Sequence, residues 1–132
     1  MDKKILSTLI LGAVIVIILG FIVFSSVGQK TPNSNACDKF DFTQKVFFYG
    51  DTCPHCKNVE AFFQNASSTL FAKVQFQQME VYNNADNAAI MVCAARKCGL
   101  KGDSLSVPMF WDGQNCVIGD QPIISFLQGF LQ

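Results

Sequence analysis

The segment that limits the fold most is "KVFFYGDTCPHCKNVEAFF", residues 45–63. Val46, Phe47, Phe48 and Tyr49 make an unbroken β-branched and aromatic run closed by Gly50, the pattern of a short buried strand. Pro54 suits the first turn of a helix, where its missing N–H leaves nothing unpaired. Val59, Phe62, Phe63, Ala66 and Leu70 then recur at helical spacing as one apolar stripe. A strand feeding straight into a helix commits the chain to a layered α/β arrangement, with Cys53 and Cys56 at the junction.

The rest of the chain continues that alternation. "KVQFQQMEVY", residues 73–82, reads as a second strand, with a bulge expected where its period breaks at Gln77-Gln78. Residues 84–99 read as a helix capped by Asn84 or Asp86 and ended by Gly99. "VPMFWDG" and "CVIGD" are short strands joined through Asp112-Gly113-Gln114-Asn115, a hairpin signal. In "QPIISFLQGFLQ", Ile123, Ile124, Phe126, Leu127, Phe130 and Leu131 form a wide apolar face, with Asp120 expected as the N-cap. The order over residues 44–132 is therefore β-α-β-α-β-β-α in one domain.

Residues 5–27 carry no charge. As a helix they are long enough for a hydrocarbon core about 30 Å thick. Lys3 and Lys4 precede the run, so residues 1–27 are expected to form an anchor with a cytosolic N-terminus and an extracytoplasmic remainder. A cleaved signal peptide, with Ser26 and Gly28 flanking the cut, is the alternative, but the run exceeds the usual apolar core of about 7–15 residues. Residues 28–43 are rich in Ser, Asn, Gln and Asp and read as a polar linker. Six cysteines in 132 residues agree with an oxidising compartment. Ten basic and ten acidic residues cancel, and no basic run is interleaved with aromatics, so nucleic-acid binding has no electrostatic support.

A cysteine attacks a disulfide only as its thiolate, which needs stabilisation of negative charge and access. The expected helix start supplies unpaired N–H groups and the positive end of a dipole to Cys53. Cys56 lies one turn deeper on the same side and can resolve a mixed disulfide. Between them, His55 can bring partial positive charge and a donor to the Cys53 thiolate, which would make the oxidised pair a stronger oxidant. A solvated histidine is the plainer alternative.

Strand, Cys53-Pro54-His55-Cys56, helix, and then Val107-Pro108 ahead of a hairpin together resemble the thioredoxin superfamily over residues 44–132. The tetrad is similar to the active site of DsbA-type periplasmic oxidases. The compact element order and Gly119-Asp120 before the last helix look more like a glutaredoxin. The resemblance implies a mixed four-stranded sheet with flanking helices and a cis peptide at Val107-Pro108. It also implies that Val107 and Pro108 line a groove for extended protein clients, and that a membrane partner recycles the dithiol. Two positions depart from the family. Phe47 stands where many members carry a buried acid, six residues before the first cysteine. Gly50 stands where glutaredoxins usually have a lysine that helps to bind glutathione.

Cys37, Cys93, Cys98 and Cys116 allow three disulfide pairings. Cys93 with Cys98 would span a helical rise of about 7.5 Å, too long unless the helix unwinds. Cys98 with Cys116 would tie the second helix to the hairpin, leaving Cys37 to pair with Cys93 or stay free. A zinc site from Cys53, Cys56, Cys93 and Cys98 is the metal alternative, although these pairs fall on expected helices rather than knuckle turns. The sequence thus points to a membrane-tethered thiol–disulfide oxidoreductase working through Cys53 and Cys56. No metal and no cofactor beyond that disulfide are expected. A non-catalytic thioredoxin-like binding module is the other alternative.

Overall fold

A computed structural model describes residues 35–66 and 68–132, together with Ile17. Apart from Ile17, the expected anchor and the first part of the linker lie outside the described residues. Among the described residues no helix is long and apolar enough to cross a membrane. The elements run α1 (Ala36–Lys39), β1 (Lys45–Tyr49), α2 (Pro54–Asn65), α3 (Ser68–Val74), β2 (Phe76–Glu80), α4 (Ala85–Lys97), β3 (Met109–Trp111), β4 (Cys116–Ile118) and α5 (Asp120–Gln128).

The four strands form one mixed sheet in the order β2-β1-β3-β4. β1 pairs parallel with β2 and antiparallel with β3, which pairs antiparallel with β4. Because side chains alternate across a strand, β1 serves two cores at once. Phe47 and its partner Phe110 point to one face, where they pack with Val59, Phe63, Leu70, Ile123 and Leu127 from α2, α3 and α5. Val46 and Phe48, opposite Trp111 and Met109, point to the other face and meet Met91, Ala94 and Ala95 of α4. Val46, Phe47 and Phe48 are all fully buried, so the continuous apolar run reflects a strand covered on both sides. Cavity-forming substitutions there are costly, about 3–5 kcal/mol for Phe110→Ala.

Several boundaries differ from the sequence pattern. The stripe from Val59 to Leu70 belongs to two helices, because Ala66 leaves the helical region (φ −75°, ψ 109°) and ends α2. Residues 73–74 finish α3 rather than beginning a strand; Gln75, with φ 45°, breaks the helix, and β2 starts at Phe76. The pairing of β2 with β1 is continuous from Phe76 to Glu80, so the bulge expected at Gln77-Gln78 does not form. The N-cap of α5 is Gly119, whose φ of 92° favours glycine, and Asp120 is the first helical residue. Asp112 closes the hairpin, its Oδ1 accepting from the N–H groups of Gln114 and Asn115 at 2.8 and 2.6 Å.

Residues 36–42, polar enough to read as linker, pack onto the domain. Cys37 is bonded to Cys93 of α4, with Cα atoms 5.6 Å apart. Phe42 meets Trp111 edge to face at 6.1 Å, and the indole N–H donates to the Phe42 carbonyl at 3.0 Å. Lys97 lies 4.8 Å above the Phe42 ring. A second disulfide, Cys98–Cys116, joins the end of α4 to β4.

These crosslinks close loops of different length, with sequence separations of 56 and 18. By chain entropy, replacing Cys37 and Cys93 with serine should lower stability by about 4 kcal/mol, and replacing Cys98 and Cys116 by about 3 kcal/mol. Urea unfolding of the two double variants measures both losses; no loss in either would show that the bridges do not constrain the unfolded chain.

Candidate functional site

The loop after β1 turns back on itself, the Cys53 N–H donating to the Gly50 carbonyl at 3.1 Å, and delivers Cys53 to the N-cap of α2. There its backbone is extended (φ −81°, ψ 115°), and Pro54 opens the helix. Cys53 and Cys56 are bonded, with Cα atoms 5.2 Å apart. The Cys56 N–H points at Cys53 Sγ, 3.1 Å away. Sulfur thus takes the place that a serine or aspartate oxygen holds at an ordinary helix start. Once the bond is reduced, this donor and the helix dipole favour a thiolate on Cys53. Cys53 retains 5% of its surface, whereas Cys56 is fully buried. Of the two residues, only Cys53 has any exposed surface.

Val107 and Pro108 close the other side. The peptide between them is cis, and the Val107 carbonyl oxygen lies 3.8 Å from Cys53 Sγ. Pro108 is fully buried, and its carbonyl accepts from the Gly119 N–H at 2.9 Å. Beside Val107 opens an apolar groove of about 370 Å³, walled by Val81, Tyr82, Met91, Val92 and Leu105. Gly50 explains part of this surface. A β-carbon there would collide with the Tyr82 ring, so the position used for lysine in glutaredoxins has no room for a side chain while Tyr82 lies over it.

His55 is placed differently from the expectation that it serves the Cys53 thiolate. Its ring is largely exposed, and Nδ1 lies 3.2 Å from Asp120 Oδ2. An ionised carboxylate only accepts, so Nδ1 carries the proton in this contact. No hydrogen bond joins the ring to Cys53 among the described residues. Asp120 also accepts from Asn58 Nδ2 at 2.6 Å and from the Gln121 N–H at 3.0 Å. The Asn58 amide, followed by the His55 ring, lowers its carboxyl from the ordinary 3.8 to about 2. Asn58 and Asp120 were not singled out in the sequence as a site. The hint was spacing: Asn58 lies one turn after His55, on the side of α2 that faces α5.

The remaining cysteines occupy less reactive settings. Cys98 is the C-cap of α4, at the negative end of a helix dipole, and Cys116 Sγ lies 3.7 Å from the Ala94 carbonyl. Both surroundings disfavour thiolate. Cys93 is buried within α4 and bonded to Cys37. The four thiols of the zinc alternative therefore separate into three different disulfides. Among the described residues no three His, Cys, Asp or Glu side chains converge on a metal-sized site. Asp51, beside Cys53, accepts from Asn83 Nδ2 at 2.9 Å.

The thioredoxin family model matches residues 36–94, which include the strand, both site cysteines and α4 to Ala94. Among solved structures, oxidized glutaredoxin 2 from Chlamydomonas reinhardtii is similar at 15% identity and a TM-score of 0.49, over 73% of this chain and 85% of that one. A buckwheat glutaredoxin–glutathione complex is similar at 20% identity and a TM-score of 0.48, over 74% of this chain and 80% of that one. A search of curated proteins returns no match.

Because the Asp120 carboxyl is lowered in the folded state, its contribution to stability is complete above its ordinary value near 3.8 and is lost as pH falls toward about 2. Asp120→Asn should remove that part of the acid sensitivity. Melting temperatures of wild type and variant, followed from neutral pH into that window, should converge as pH falls. Curves that stay parallel would contradict the pairing.

Proposed function

We propose that this chain, whose thioredoxin family match over residues 36–94 and mixed four-stranded sheet support membership of the thioredoxin superfamily, is an extracytoplasmic, membrane-tethered thiol–disulfide oxidoreductase that exchanges disulfides with protein clients through Cys53 and Cys56. The observation that carries the reading is the asymmetry of the pair. Cys53 is the helix-capping residue and keeps 5% of its surface, and Cys56 is the fully buried residue bonded to it.

The steps follow from that asymmetry. In the reducing direction, the Cys53 thiolate attacks a client disulfide; one client sulfur leaves, and a Cys53–client bond forms. Cys56 then attacks Cys53 Sγ, the internal disulfide forms, and the second client sulfur is released. The oxidising direction runs the same bonds in reverse. Pro54 starts the helix that presents the sulfur. Val107 offers a backbone carbonyl beside Cys53, where an extended client strand can lie, and the apolar groove next to it favours exposed hydrophobic side chains.

Location is supported by two independent features. All six cysteines are paired, a pattern that persists in oxidising compartments. The uncharged run at 5–27 behind Lys3 and Lys4 fits a single-pass anchor with the domain outside the cytosol. A membrane redox partner would then return Cys53 and Cys56 to their starting state. Glutathione is disfavoured as cosubstrate by Gly50 and its close packing against Tyr82.

Cys56→Ser should accumulate mixed disulfides between Cys53 and client proteins in the native cell, separable on non-reducing gels and released by thiol reductant. Cys53→Ser should accumulate none. A Cys56→Ser chain that carries no Cys53-linked protein would sink the catalytic reading.

A further inference from the structure

His55 stands between the two site cysteines in sequence, yet among the described residues its ring makes no hydrogen bond to Cys53. The donor aimed at Cys53 Sγ is a backbone group, the Cys56 N–H. The one basic side chain of the tetrad is held away from the sulfur it flanks. If the dithiol turns over as proposed above, on which this inference rests, that restraint acts on its redox balance.

The restraint is built from α5. Gly119, the N-cap of that helix, donates its N–H to the Pro108 carbonyl at 2.9 Å. This bond ties the start of α5 to the cis peptide that lies against Cys53. Asp120 follows directly, and its carboxylate is held at both oxygens. Oδ1 accepts from the Gln121 N–H at 3.0 Å, while Oδ2 accepts from Asn58 Nδ2 at 2.6 Å and from His55 Nδ1 at 3.2 Å. Asn58 lies one turn after His55, so α2 presents two donors to a single oxygen. The Asp120 side chain is 16% exposed and that of His55 71%, so the acid is the fixed partner and the ring is drawn to it. The carboxyl, lowered to about 2 by Asn58 first and His55 next, stays ionised at neutral pH.

Other charged side chains near the start of α2 are already paired. Lys57 Nζ binds Glu60 Oε2 at 2.8 Å, and Asp51 accepts from Asn83 Nδ2 at 2.9 Å. His55 is thus the basic group left to turn toward Cys53 or away from it. A donor or a positive charge beside the Cys53 thiolate would stabilise the reduced pair and make the disulfide a stronger oxidant. In the contact with Asp120, the Nδ1 proton is committed to the carboxylate, and any positive charge on the ring is offset by the negative one.

We propose that Asp120, braced by Asn58, is a positioning residue that draws His55 off the Cys53 thiolate and holds the dithiol more reducing than the Cys53-Pro54-His55-Cys56 tetrad alone would set it. The bias favours reduction of clients. The dithiol passes two electrons and two protons to a client disulfide, which is released as two thiols while the Cys53–Cys56 bond forms. A protein dithiol then reduces that bond and is itself oxidised to a disulfide.

The test equilibrates the full chain in detergent with mixtures of reduced and oxidised glutathione, used only as a redox buffer. Acid quenching, alkylation and mass spectrometry read the oxidised fraction of Cys53–Cys56 separately from the other two disulfides. Asp120→Ala, which removes the acceptor, should lower the equilibrium constant for oxidation at least about threefold, within the range of one exposed charge pair. Asp120→Asn, which keeps the shape of the side chain and loses its charge, should shift it the same way. His55→Ala should reverse most of the shift in the Asp120→Ala chain and act far more weakly when Asp120 is present. Unchanged constants in both Asp120 variants, or a shift that persists in the His55→Ala, Asp120→Ala double variant, overturn the proposal. A wild-type Cys53–Cys56 pair that does not exchange with the buffer fails the oxidoreductase reading itself, and the proposal with it.

Discussion

A helix start leaves backbone N–H groups without intrahelical partners, and here the one on Cys56 is aimed at the sulfur of Cys53 from 3.1 Å. Most of the site depends on that contact. It requires an extended residue at the N-cap, hence a strand running directly into α2, and it suits Pro54 at the next position. It also fixes which cysteine is presented and which is buried, because the helix carries Cys56 one turn down into the core. The sheet holds this geometry in place: β1 is buried on both faces, so the loop that bears Cys53 leaves a strand with little freedom to shift.

The three disulfides show how the same bond serves different ends. Cys53–Cys56 sits at a positive helix end and leaves one of its two residues slightly exposed. Cys98–Cys116 begins at a negative helix end, and Cys37–Cys93 draws the segment before β1 onto α4. Thiolate stability differs in sign between the two helix termini, so reactivity is segregated by backbone position rather than by cysteine content. Polar side chains follow a similar division. Asp120 gathers His55 and Asn58 between α2 and α5, whereas Glu60 keeps a buried oxygen unpartnered on another flank of α2.

Much of this was legible in the sequence because it rests on short-range pattern. Val46 to Tyr49, the Pro54 helix start, the Asp112–Asn115 turn and Val107-Pro108 each carry a local signal, and each forms the strand, helix start, turn or cis peptide expected of it. What escaped the sequence depends on tertiary contacts. The apolar stripe from Val59 to Leu70 looks continuous because α2 and α3 both cover the Phe47 face of the sheet. Phe40 and Phe42 lie in a stretch whose average composition is polar, and only their packing near Trp111 shows that it belongs to the domain. His55 sits between the two cysteines in sequence, but its ring turns outward to an acid 65 residues away. Glu60 looks like any exposed helix residue until the missing partner of its Oε1 is seen.

If the helix start makes Cys53 the reactive sulfur, the reduced chain should reveal it through alkylation. Rates of iodoacetamide alkylation of the reduced chain, measured against pH and assigned to each cysteine by mass spectrometry, test it most directly. Cys53 should be modified first and reach half its maximal rate well below the pH of about 8.5 typical of a free cysteine. Alkylation of Cys53 with the pH dependence of a free cysteine, or modification of Cys56 before Cys53, would contradict it.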